Sequence, residues 1–141
     1  MLRAHGPVVV AGLSLTDHWN VVAFGEAIAD AAARIDRRVA FIASGDMSHR
    51  LALGAPYGFD ARGAEFDQWL IGTLRRGGYR ELLDFSSDLD EAAEEDVLDS
   101  VLVALGATGF NANGAEILSY EGPFGVGYGV AILYSEVLPR S

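Results

Sequence analysis

The strongest constraint on the fold is a continuous apolar run near the start of the chain, Pro7–Leu15 (PVVVAGLSL), followed one helix-length later by a second, Val39–Ala43 (VAFIA). Unbroken apolar runs rich in β-branched residues suit strands buried on both faces, and such strands belong to parallel sheets. Between them Val21, Phe24, Ile28, Ala31 and Ala32 recur at three- and four-residue steps, which predicts an amphipathic helix over Asn20–Ile35, closed by the polar Asp36, Arg37 and Arg38. Strand, helix and strand in that order predict a right-handed βαβ unit. The expected fold class is therefore α/β, with a mostly parallel or mixed sheet flanked by helices.

Ser44–His49 follows directly on the second run, and in open α/β sheets ligands bind just beyond the carboxyl ends of parallel strands. Leu53–Gly63 (LGAPYGFDARG) has the Gly, Pro and Asp content of an irregular loop. Glu65–Arg76 reads as a helix with Phe66, Trp69, Leu70 and Leu74 on one side, and a short helical stretch is expected at Arg80–Phe85. After an acidic link, Ser87–Asp90, a last helix is expected over Glu91–Leu105, with an apolar stripe of Val97, Leu98, Val101, Leu102 and Leu105. Its first turns carry Glu91, Glu94, Glu95 and Asp96, matching the positive end of the helix dipole. Glu116–Tyr120 and Gly125–Tyr134 look like two strands joined by Glu121–Phe124 that close the sheet. With no internal repeat or linker, 141 residues read as a single domain.

Ten Lys and Arg against twenty Asp and Glu give a net charge of -10, a field that repels phosphate backbones and anionic membranes. Nucleic acid and membrane surfaces are thereby excluded as expected partners. The absence of cysteine removes disulfide, thiolate-nucleophile and zinc-ribbon chemistry. Val8–Ala11 is too short for a signal-peptide core or a membrane span, so a cytoplasmic location is expected.

The histidines are His5, His18 and His49, and no two of them stand at the helical spacing that local metal motifs use. His5 and His18 read as solvated or capping side chains. His49 differs because it follows a buried strand and a Gly-Asp loop, where a proton-transfer role and simple backbone satisfaction both fit. In the acidic cluster, a solvated helix start competes with one carboxylate turning inward to a metal; Glu95 lies near the apolar stripe, and Glu94 is the near alternative. The glycine-rich Gly122–Gly129 lacks the Lys-Ser/Thr of a phosphate-binding loop, and its glycines read as turn and close-packing positions.

Several blocks, taken in order, carry a resemblance: Ile42–Leu51 (IASGDMSHRL), Ala55–Asp60 (APYGFD), Gly63–Asp67 (GAEFD) and Leu118–Val130 (LSYEGPFGVGYGV). Together they resemble the C-terminal half of the catalytic domain of class III, LigB-like extradiol ring-cleavage dioxygenases. The resemblance implies oxidative opening of catechol-type rings with O₂ at a non-haem Fe(II) held by two histidines and a glutamate, the facial-triad arrangement. It places the family's acid/base histidine on His49 and its glutamate ligand on Glu95, within a segment resembling Ala93–Ala107. Tyr57, Phe59 and Tyr120 are the aromatic residues available on this side to line a substrate.

The family's two ligand histidines belong to the first half of the domain, and neither His5 nor His18 matches their motifs. The resemblance thus implies a separately encoded N-terminal half-domain subunit, or a homo-oligomer, with a small aromatic diol and O₂ as substrates. A non-catalytic binding or structural protein that associates through its sheet edge, and an internal start of a longer frame at Met1, are the competing expectations.

Overall fold

The computed structural model of the chain describes residues 6–13, 17–85 and 87–136. Helix α1, His18–Arg34, starts where the Asp17 side chain accepts the Asn20 N–H at 3.0 Å, an N-cap that satisfies one of the orphan donors of the first turn. Helix α2, Ala61–Arg76, is capped in the same way by Asp60 and ends on Gly77, whose φ of 69° is the left-handed closure glycine supplies without penalty. That cap starts α2 at Ala61, inside the expected Leu53–Gly63 loop. A 3₁₀ turn spans Tyr79–Asp84, and helices α3, Ser87–Ala93, and α4, Leu98–Ala107, follow.

Helices α1 and α4 cross almost backbone to backbone. A Cβ on Gly25 would stand 2.0 Å from the Val103 carbonyl oxygen, and one on Gly106 would stand 2.3 Å from that of Val22. Phe66, Leu70, Leu82, Leu98, Leu102 and Leu105 are buried around this pair and α2, the hydrophobic core of the molecule. Strands β1, Glu116–Glu121, and β2, Tyr128–Ile132, form an antiparallel pair running from Glu116 opposite Ile132 to Glu121 opposite Tyr128. The chain is thus a mixed helix and sheet fold, as expected at that level.

Two expectations are corrected. The βαβ unit is not formed among the described residues: α1 is present, but Val8–Leu13 and Val39–Ala43 pair as strands with nothing, and Ser14 and Leu15 lie outside the described residues. The physical reason is exposure. Val9 and Val10 are each 90% exposed and Ile42 is 82% exposed, so strands meant to be covered on both faces have no layer to cover them. A groove of about 850 Å³ lies between this second segment and the helices, lined by Ile28, Phe41, Leu70, Leu74, Ala104 and Ile132.

The second correction is that Ser87–Asp90 is helical and Glu91–Leu105 is not one helix. Glu94 takes a left-handed φ of 52°, which ends α3, and α4 restarts at Leu98. Periodicity alone could not locate this break, because the apolar stripe resumes in phase beyond it. The break places the backbone of residues 93–96 against the His49 segment.

Candidate active site around His49

The segment Asp46–Leu51 is held from two sides by main-chain hydrogen bonds. On one side the Met47 N–H reaches the Gly127 carbonyl at 3.0 Å, the Gly127 N–H reaches that of Ser48 at 2.8 Å, and the Leu51 N–H reaches that of Gly125 at 3.0 Å. These partners run antiparallel, so the segment lies along the approach to β2. On the other side, the His49 N–H donates to the Ala93 carbonyl at 2.9 Å and the Asp96 N–H to that of Asp46 at 3.1 Å, while the Asp96 side chain accepts the Asp46 N–H.

The imidazole is fixed by the same turn. His49 Nδ1 donates to the Glu94 carbonyl oxygen, which can only accept, so Nδ1 carries the proton in this pose. Nε2 is left facing Asp46, whose Oδ2 stands 3.6 Å away. Tyr57 meets the ring edge-on, with centroids 5.7 Å apart. Arg50 organises that wall: its Nε donates to the Tyr57 carbonyl at 3.1 Å, and its backbone carbonyl accepts from the Asp60 N–H at 3.0 Å. The arrangement can accept a proton at Nε2 from a hydroxyl within hydrogen-bonding reach and return one.

Glu95 points its carboxylate at the start of α4, where Oε2 accepts the N–H groups of Val97 at 2.6 Å and Leu98 at 2.7 Å. Burial, reinforced by the neighbouring Asp90 carboxyl, pushes Glu95 up to about 8 despite those two donors. Beneath the His49 segment lies Asp67, fully buried, with Oδ1 accepting the Ser48 N–H at 2.8 Å and Oδ2 accepting the Tyr120 hydroxyl at 2.7 Å. Burial raises the Asp67 carboxyl above its ordinary value, and its two donors offset only part of that rise. Tyr120 is raised as well, by its own burial and then by the carboxyl that accepts its proton.

A family model, the catalytic LigB subunit of aromatic ring-opening dioxygenase, matches residues 4–131. The chain belongs to the LigB family. Protein CA_C1420 of Clostridium acetobutylicum is 41% identical over 107 residues, which is 76% of this chain and 23% of that protein. The match therefore spans less than a quarter of that relative's length.

In this LigB chain the structure brings His49 and Tyr57 together and sets the turn carrying Glu94 and Glu95 beside them. Phe59 is exposed and Tyr120 gives its hydroxyl to Asp67. His18 opens α1, with Nδ1 3.5 Å from the Leu83 carbonyl, and His5 lies outside the described residues. Among the described residues no group of three His, Asp or Glu side chains could hold a metal ion, so a complete iron site does not fit the residues described. Among those residues, too, no helix is long and apolar enough to cross a membrane.

Sequence reasoning assigned no role of their own to Asp46, Asp67 and Asp96. A signal for Asp67 was available: it sits three, four and seven residues before Leu70, Ile71 and Leu74, which puts a carboxylate on the buried side of α2.

Proposed function

We propose that this chain contributes one side of an extradiol ring-opening site, in which His49 moves protons to and from a hydroxyl of a catechol-type substrate. The observation that supports this most directly is the His49 ring itself, held through Nδ1 by the Glu94 carbonyl with Nε2 facing Asp46 3.6 Å away. An imidazole held through Nδ1, with Nε2 beside a carboxylate, suits general acid/base work. In this reading Glu95, through the oxygen that does not accept from the Val97 and Leu98 amides, would be the carboxylate offered to Fe(II), with Glu94 as the near alternative. The two histidines would come from residues outside this sequence, in an N-terminal half-domain, separate or joined, or in a second copy, which would also cover Val8–Leu13 and Val39–Ala43.

The chain's own part is to hold His49, present Tyr57 and Phe59 as an aromatic wall, and keep the His49 segment rigid. Those uncovered apolar segments equally favour a second reading, a non-catalytic protein that associates through the same edge.

The purified chain, given Fe(II) anaerobically and then catechols and O₂, separates the readings when tested with and without the product of the adjacent reading frame. Ring-opened product that requires the partner supports the split site. Stable association with neither metal uptake nor turnover selects the binding protein and sinks the dioxygenase reading.

A further inference from the structure

Separate stretches of sequence meet at one buried carboxyl group, that of Asp67 on α2. Ser48 of the His49 segment donates its N–H to one oxygen, and Tyr120 of β1 donates its hydroxyl to the other. Gly127, just before β2, lies so close that a Cβ there would stand 2.0 Å from Asp67 Oδ2. Gly63, one turn earlier on α2, admits Ser48 in the same way: a Cβ on it would stand 2.3 Å from Ser48 Oγ. Ser48 is itself fully buried, its Oγ donating to the Ala93 carbonyl at 3.2 Å and accepting the Arg50 N–H at 3.1 Å.

Core stability does not by itself call for this arrangement. A carboxyl group taken out of water is costly, and this one is tolerated because two donors face it. What a carboxylate adds is two acceptors in fixed directions, matching the two donors that face it. Those donors belong to different elements, and one is the backbone N–H immediately preceding His49. Tyr120, Asp67, Ser48 and His49 thus form a continuous line from β1 through α2 to the imidazole.

We propose that Asp67 is the positioning residue of this site: by holding Ser48 on one oxygen and Tyr120 on the other, it fixes the loop so that His49 Nδ1 reaches the Glu94 carbonyl and Nε2 faces Asp46. Its functional meaning rests on His49 being the proton-transfer group, but the geometric claim is tested without turnover.

The test uses the whole chain and compares the parent with Asp67→Asn, Asp67→Ala and Tyr120→Phe. Nitrogen-correlated NMR spectra report the His49 tautomer, and hydrogen exchange reports the amides of Ser48, His49, Leu70 and Leu102. In Asp67→Ala the Ser48 and His49 amides are expected to exchange about tenfold faster and the Nδ1–H tautomer to lose its dominance, with Leu70 and Leu102 unchanged. Asp67→Asn is expected to restore parent behaviour, because its amide oxygen can accept from Ser48 while its NH₂ donates to the Tyr120 oxygen. Tyr120→Phe is expected to fall between.

Should Asp67→Ala fail to fold, the contrast between Asp67→Asn and Tyr120→Phe decides. The proposal is overturned if Tyr120→Phe leaves the tautomer and Ser48 exchange at parent values. Faster exchange spread equally over Leu70 and Leu102, or an Asp67→Asn chain that does not recover, overturns it too. Failure of ring opening with a partner would count against the dioxygenase reading and leave these measurements standing.

Discussion

Glu94 holds the imidazole of His49 with its backbone, not its side chain: its carbonyl oxygen accepts the Nδ1 proton while its own φ stands at 52°. A left-handed non-glycine residue stores strain, and here the strained residue is the one that aims the carbonyl. The expected side-chain candidate therefore acts on His49 through its peptide group.

Glu94→Gly should relieve that strain and raise stability by about 1 kcal/mol, because glycine adopts the conformation freely. Thermal unfolding checks the gain. The His49 tautomer should be unchanged, since the carbonyl remains in place.

Gly127→Ala should destabilise by about 1–3 kcal/mol, since its methyl group would collide with the buried Asp67 carboxyl. Gly54→Ala is the control, with nothing within 4 Å of its Cβ position. Urea titration of both variants should show a lower midpoint for the first and little change for the second.

Stability should fall as pH rises. Glu95, Asp67 and Asp99 are all held above their ordinary values, with burial the largest cause in each. The native chain then binds more protons than the unfolded one across this range, so the stability tied to these groups is complete below their unfolded values. It drains away as pH climbs through the raised ones, ending near the Glu95 value of about 8. Urea midpoints from about pH 5 to about pH 9 should decline, and Glu95→Gln should flatten the slope.

His49→Ala should leave the fold intact, because the ring is partly exposed and its backbone contacts do not depend on the side chain. In the reconstituted complex it should lower ring opening by about 10²–10⁴-fold. Full activity in this variant would refute the acid/base role assigned to His49.

Local pattern determined much of the framework. The apolar spacing of Val21 and Ile28 and the turn residues Glu121–Phe124 made α1 and the β1–β2 hairpin legible, and the ordered blocks from Ile42 to Val130 carried the family. Pattern records which residues want burial, not whether a second layer arrives to bury them. For that reason Val8–Leu13 and Val39–Ala43 read as buried strands while the described chain leaves them open.

Only the tertiary structure could break the helix at Glu94, turn the Glu95 carboxylate onto the amides of α4, and bring Ser48, Asp67 and Tyr120 together from positions 19 and 53 residues apart. Backbone carbonyls and buried carboxyls act through distance and direction, which residue identity does not encode. The sequence pointed to His49; the fold decided which of its nitrogens the Glu94 carbonyl holds and which faces Asp46.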